Sequence, residues 1–188
     1  MGEAVFAAGE SATLGATGLP AVPAALAARG VALRLQTEAD LDFARDVYVA
    51  YRWEEMAASG WPEEARMAFL QDQFRMQWRH YATQYDGAAF AIVEVGGERA
   101  GRLYLLATSA SLHIIDIAFL PPWRNQGIGS GLIRAIQEQA RADGRGVTIN
   151  VEGSNPAQRL YQRLGFVHAE PASDEGVYRL LAWRSCGA

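Results

Sequence analysis

Lysine is missing altogether. All 17 basic residues of this 188-residue chain are arginine, against 21 acidic residues and a formal net charge of −4. An acidic chain with no dense basic run and no aromatic–basic stripe is a poor nucleic-acid binder. Cysteine is almost missing too, since Cys186 stands alone. One cysteine makes neither an internal disulfide nor a Cys-rich zinc site, so no metal is expected and the reducing cytoplasm is the default compartment. No apolar run reaches the roughly 18 residues that cross a bilayer. The N-terminus lacks the basic start and apolar stretch of a secretory signal.

What remains is half hydrophobic and one-fifth charged, the composition of one globular domain with an ample core. Residues 1–30 differ from the rest: ten of the first 29 are alanine, and Glu3, Glu10 and Arg29 are the charges. A short helix fits Ala21 to Arg29, but the segment reads mainly as a flexible tail. A single domain over 31–185 is expected to follow it.

Val31 to Gln36 alternates as a strand does. Thr37 and Asp40 form a T-x-x-D cap, followed by Leu41, Ala44, Val47, Tyr48 and Tyr51 at helical spacing. A second helix starts near Pro62 and sets Ala65, Phe69, Phe74, Trp78 and Tyr81 roughly on one side. Ala89 to Val95 and Arg99 to Leu106 flank the hairpin pair Gly96-Gly97. Leu112 to Leu120 is apolar apart from His113 and Asp116, as in a central strand buried on both faces. A helix from about Gly127, a strand over Val147 to Val151, a short helix capped by Asn155, and strands over Phe166 to Ala169 and Val177 to Trp183 complete the order. The fold class is α/β with a mixed sheet.

The stretch from Pro122 to Gly131 lies between a buried strand and an amphipathic helix. Its glycines let a ligand approach the backbone, and the free amides of a first helical turn favour an anion such as a diphosphate. A P-loop is excluded, because that motif needs a lysine. A dinucleotide-binding fingerprint fits poorly, because Pro121, Pro122 and Trp123 separate the strand from the first glycine and Glu152 is the only acid near the next strand's end.

Arg124-Asn125-Gln126-Gly127-Ile128-Gly129 resembles the R/Q-x-x-G-x-G/A signature of the GNAT (N-acetyltransferase) superfamily. Asn155 to Phe166 resembles that family's N…LY…LGF segment. The resemblance implies a mostly antiparallel mixed sheet with helices on both faces and a splayed parallel strand pair. It implies acetyl-CoA as co-substrate, an amine (small molecule or peptide) as acceptor, and room for a homodimer. A non-catalytic acyl-CoA-binding sensor is the alternative.

Carried over residue by residue, Arg124, Asn125, Gln126, Gly127, Ile128, Gly129 and Ser130 would hold the diphosphate. Ile117, Ala118 and Phe119 would pair with the pantetheine arm. Tyr161 would protonate the departing thiolate. Asn155, six residues before Tyr161 rather than seven, is either a cofactor contact or a helix cap, with Ser154 in the usual place. The general base would be His113, eleven positions ahead of the motif, Asp116, which strand alternation sends to the opposite face, or a water. The acceptor site is expected between Tyr48 and Trp78 and over Pro171 to Val177, where Glu54, Glu55, Glu63, Glu64, Trp53 and Trp61 suit a cationic amine.

Overall fold

A computed structural model describes residues 18–153, 155–169 and 178–184. Its seven strands are β1 (Val31–Leu35), β2 (Ala89–Val95), β3 (Glu98–Ala107), β4 (Ser111–Phe119), β5 (Gly146–Glu152), β6 (Val167–His168) and β7 (Tyr178–Trp183). They form one sheet in the order β1-β2-β3-β4-β5-β7-β6. Only β4 and β5 pair in parallel; the other neighbours are antiparallel. This is the mixed, mostly antiparallel sheet that the resemblance implies. The apolar run read as a central strand is β4, fourth of the seven.

The helices are α1 (Ala24–Ala27), α2 (Leu41–Arg52), α3 (Glu63–Gln84), α4 (Ile128–Ala142) and α5 (Gln158–Arg163). They divide between the two faces because side chains alternate along each strand. Leu103 and Leu105 of β3 join Leu132, Ile133 and Ile136 of α4 in the main core. Arg102 and Tyr104, the intervening residues, face the other way: the Arg102 guanidinium bonds the Ala44 carbonyl of α2, and Tyr104 meets Trp78 and Tyr81 of α3. On α3 the buried stripe is Leu70 and Phe74. Phe69, expected inward, lies outside it and packs edge-on against Trp61.

Two local devices set the chain's course. Gly96 and Gly97 both have positive φ (60° and 84°), which two-residue hairpins demand because it matches the twist of the flanking strands. Between β1 and α2, Asp40 takes two hydrogen bonds from the Arg34 guanidinium (2.7 and 2.8 Å) and two from the amide and hydroxyl of Thr37. That bidentate pair, chiefly, holds the Asp40 carboxyl well below the usual carboxylate range, so the turn into α2 is pinned by a charge that stays ionised.

Residues 18–30 are not the tail that their composition suggests. Leu26 is buried in the main core and Leu19 is buried against Ala89 and Ala91. A Cβ on Gly131 of α4 would sit 2.8 Å from a Leu26 methyl, so this leucine fills the groove that the glycine leaves open. What precedes Gly18 lies outside the described residues. Leu26→Ala is expected to cost about 2–4 kcal/mol, as burial is lost and a cavity remains. Urea unfolding measures this, and a loss below about 0.5 kcal/mol would return the segment to the status of a tail.

Candidate active site

The parallel pairing of β4 with β5 runs only from Ser111↔Gly146 to Ile114↔Ile149. Beyond that point β4 continues to Phe119 and β5 to Glu152 without meeting. Each strand keeps its other neighbour, β3 or β7, so the two are pulled apart and a wedge opens in the sheet. A cavity of about 260 Å³ fills it, lined by Ile115 to Ala118 from β4 and Ile149 to Glu152 from β5. Tyr48, Tyr51 and Arg52 of α2, Tyr81 of α3, Tyr161 of α5 and Tyr178 of β7 close round it.

A β-bulge decides what β4 shows to that cavity. Tyr104 pairs with Asp116 but Leu105 pairs with Ile114, so Ile115 is an extra residue opposite no partner. The extra residue reverses the alternation. Asp116 therefore shares the α2/α3 face with His113 instead of opposing it, which corrects the expectation from simple alternation. The same reversal turns Ile117 and Phe119 to the main core and Ala118 to the cluster of Phe43, Val47 and Ile92.

Of the two candidate bases, only Asp116 lines the cavity. Its Oδ2 lies 2.5 Å from Nη2 of Arg102, as an ionic contact without aligned hydrogen-bond geometry. Arg102 is 2% exposed and also donates to the Ala44 carbonyl (3.0 Å) and Gln77 Oε1 (3.2 Å). Burial alone would weaken its charge, but Asp116 and the neighbouring tyrosines outweigh that and its pKa ends raised. With Oδ2 buried against the arginine, Oδ1 is the carboxylate oxygen left to the cavity.

His113 is elsewhere. It is buried, its Nδ1 is 2.9 Å from Thr148 Oγ1, and its ring stacks on Tyr85 at the end of α3. Burial lowers its pKa from 6.5 to about 4, so near neutral pH it is an uncharged core group.

Tyr161 lies on the inner face of α5, 5% exposed, with its ring edge-on to Phe166. Burial first, then the charges of Asp116 and Tyr51, push its pKa well above that of an ordinary phenol. Its proton therefore stays in place until a strong base appears beside it. Asn155 lies in the turn ahead of α5, whose N-cap is Ala157: its Oδ1 accepts from the Ala157 amide at 2.8 Å, while Nδ2 donates to the Tyr51 hydroxyl at 2.7 Å. Ser154 lies outside the described residues, as do 170–177 and with them the Pro171 to Val177 part of the expected acceptor site.

At the glycine-rich turn, Pro121–Trp123 makes one 3-10 turn, and Asn125 (φ 59°) and Gly127 (φ 78°) take left-handed conformations before α4 begins at Ile128. Gly131 N–H makes the first helical hydrogen bond, to the Gly127 carbonyl. The amides of Ile128, Gly129 and Ser130 are thus the free donors of a 15-residue helix. Nothing lies within 4 Å of the point where a Gly127 Cβ would be, so this end of the helix is open. The residues fit a diphosphate. Arg124 contributes differently from its neighbours: its side chain turns inward, from Nε to the Phe119 carbonyl (2.9 Å) and from Nη2 to the Ala50 carbonyl (3.0 Å), bracing the turn against β4 and α2.

Several cavity residues escaped the sequence reading. Arg102 stands among the apolar residues of the second half of β3 and Glu152 ends β5, and the one signal for a buried pair was a charge within the apolar part of each of the neighbouring strands β3 and β4. Glu152 pairs with Arg52 at 3.2 Å, and Arg52 with Glu55 at 3.0 Å. Trp53 and Trp61 stay outside the cavity lining; Trp53 is covered by the Arg66 guanidinium at 4.3 Å. Tyr51, Gln77 and Tyr81 carried no motif.

The placement of His113 has a consequence for acid stability. Below about pH 6.5 the unfolded chain takes up a proton that the buried imidazole refuses. Stability is therefore expected to fall between about pH 6.5 and about pH 4, by up to roughly 3 kcal/mol. His113→Gln should lose much of this pH dependence in urea titrations. An unchanged slope would mean that the imidazole titrates normally in the fold.

Residues 86–168 match the family model described as the acetyltransferase (GNAT) domain. A Bacillus subtilis (strain 168) protein named for [ribosomal protein bS18]-alanine N-acetyltransferase activity is 29% identical over 102 residues, which are 51% of this chain and 68% of that one. Among solved structures, the PaiA N-acetyltransferase from Thermoplasma acidophilum in complex with coenzyme A superposes with a TM-score of 0.60 at 14% identity, over 82% of this chain and 99% of that one. The ribosomal-protein-S18-alanine N-acetyltransferase from Escherichia coli does so with a TM-score of 0.54 at 18% identity, over 84% and 96%. These structures share the fold. Over residues 86–168 the chain is thus similar to GNAT acetyltransferase domains, and the activity that the match and these relatives support is acetyl transfer to an amine.

Proposed function

We propose that the wedge between β4 and β5 is where the acetyl group changes hands, with Asp116 as general base and Tyr161 as general acid. The single observation that carries this reading is their position: a carboxylate and a buried phenol line one cavity at the point where the strands part. Acetyl-CoA supplies a thioester, an acyl group already activated for attack by nitrogen. The free amides from Ile128 to Ser130 would hold its diphosphate, and Ile117 and Ala118, which have no partner on β5, offer main-chain groups to its amide-bearing arm.

The acceptor must shed a proton to present a neutral nitrogen. Asp116 Oδ1 can take that proton, directly or through water, because Arg102 engages the other oxygen. Tyr161 holds a proton that burial keeps on oxygen and can give it to the departing sulfur. The protons balance: the ammonium gives its first proton to Asp116 and so to solvent, and the second, lost by the nitrogen once it is bonded to the carbonyl carbon, replaces the one that Tyr161 has given to the thiolate. Asp116 and Glu152, with five tyrosines, make the cavity suited to an amine. Since the Bacillus and Escherichia relatives are named for acetylating an alanine of a ribosomal protein, a peptide that begins with alanine is the first acceptor to test. The single cysteine agrees with work in the cytoplasm, and among the described residues no helix is long and apolar enough to cross a membrane.

Thiol release from acetyl-CoA over a panel of amines, amino acids and alanine-led peptides tests the activity. Tyr161→Phe keeps the ring against Phe166 and should lower kcat by about 10²-fold, with little change in acetyl-CoA affinity. A wild-type kcat would reduce Tyr161 to a packing residue. His113→Gln should stay within about three-fold of the wild type in kcat, because its ring does not reach the cavity. A loss as large as that of Tyr161→Phe would restore His113 as the base.

A further inference from the structure

The chain before β1 reaches the glycine-rich turn. Nη1 of Arg29 donates a 3.0 Å hydrogen bond to the Gln126 carbonyl, across 97 residues of sequence. Its backbone is well placed for this. The Ala28, Arg29 and Gly30 amides close successive turns onto Ala24, Leu26 and Ala27, and the Gly30 carbonyl accepts from Gly96 N–H at 2.9 Å. A Cβ at Gly30 would lie 2.8 Å from that Gly96 nitrogen, so the reversal into β1 is tight. Leu26 seats the same segment against Gly131 of α4.

The bonded carbonyl belongs to the Gln126–Gly127 peptide. In a planar trans peptide the C=O and the next N–H point in opposite directions. A donor fixed on the carbonyl therefore holds the Gly127 N–H toward the other side of the peptide, and nothing lies within 4 Å of where a Gly127 Cβ would be. A cationic donor also polarises the peptide and makes that N–H a stronger donor. No other cation of the turn is free to do this. Arg124 is committed to the Phe119 and Ala50 carbonyls, and Gln126 spends its side-chain amide on the Pro122 carbonyl at 2.6 Å.

We propose that Arg29 is a positioning residue for the acetyl-CoA site: held by Leu26 and Gly30, it orients the Gln126–Gly127 peptide so that the Gly127 amide serves the diphosphate. This rests on the reading of the turn as the acetyl-CoA site. It makes residues 18–30 a working part of the domain, behind the turn rather than in contact with the ligand.

Calorimetry with coenzyme A and 3′-dephospho-coenzyme A on the full chain tests it, beside acetyl-CoA kinetics. Arg29→Ala should weaken both ligands about five- to ten-fold, because both carry the diphosphate. The KM for acetyl-CoA should rise by a similar factor with kcat nearly unchanged, and the melting temperature of the ligand-free protein should hardly move. Arg29→Lys, which keeps a cationic donor, should recover most of the affinity. Unchanged affinity in Arg29→Ala overturns the proposal. So does a loss confined to coenzyme A, which would put Arg29 on the 3′-phosphate. A loss that Arg29→Lys leaves unrepaired and that comes with a lower melting temperature assigns Arg29 to packing and overturns it too. Failure of the wild type itself to bind either ligand would remove the acetyl-CoA reading of the turn, an outcome distinct from equal binding by wild type and variant.

Discussion

Two parallel strands that share a core must part company somewhere if a ligand is to enter between them. Here β4 and β5 pair over four residues and then follow different antiparallel neighbours. The buried half, Leu112 and Ile114 with Val147 and Ile149, anchors the main core beneath α4. The parted half leaves main-chain groups on both strands without ladder partners, and a folded protein retains such groups only where something else can satisfy them. The cavity, the free end of α4 and the approach of Tyr161 all follow from this one divergence.

The bulge at Ile115 is its companion. One extra residue on β4 brings Asp116 to the face occupied by Arg102, so that a carboxylate and a guanidinium meet at 2.5 Å in the floor of the cavity. Separately, each would be a costly charge in a strand otherwise made for the core. Together they compensate one another, and the exposed carboxylate oxygen is placed where the strands open. His113, three residues earlier on the same face, lies before the divergence, packed beneath Tyr85 and bonded to Thr148. Position relative to the point of parting, more than side-chain chemistry, separates the residue that lines the cavity from the one packed in the core.

The tightness of the turn has causes on both sides. From the domain side Arg124 ties it to β4 and α2; from the N-terminal side Leu26 and Arg29 support α4 and the Gln126 carbonyl. The glycines divide the labour. Gly127 supplies the left-handed conformation that stops the chain from entering the helix early, and Gly131 leaves the groove that Leu26 fills. Such support reduces the ordering that a ligand would otherwise impose on the loop.

Much of this was legible in one dimension, for reasons of periodicity and local chemistry. The strand runs, the Gly96-Gly97 hairpin, the turn from Arg124 to Gly129 and the inward Tyr161 depend on residues close in sequence, and local rules sufficed for them. Composition misled at residues 18–30, because alanine and glycine look like a tail unless the groove at Gly131 that receives Leu26 is known. Alternation misled at Asp116, because a bulge is a property of two paired strands and leaves no mark on either alone. The Arg102–Asp116 pair, the burial that makes His113 a core group and the hydrogen bond from Arg29 to Gln126 were decided by tertiary structure. Each depends on which segments pack side by side, and no local pattern encodes that proximity.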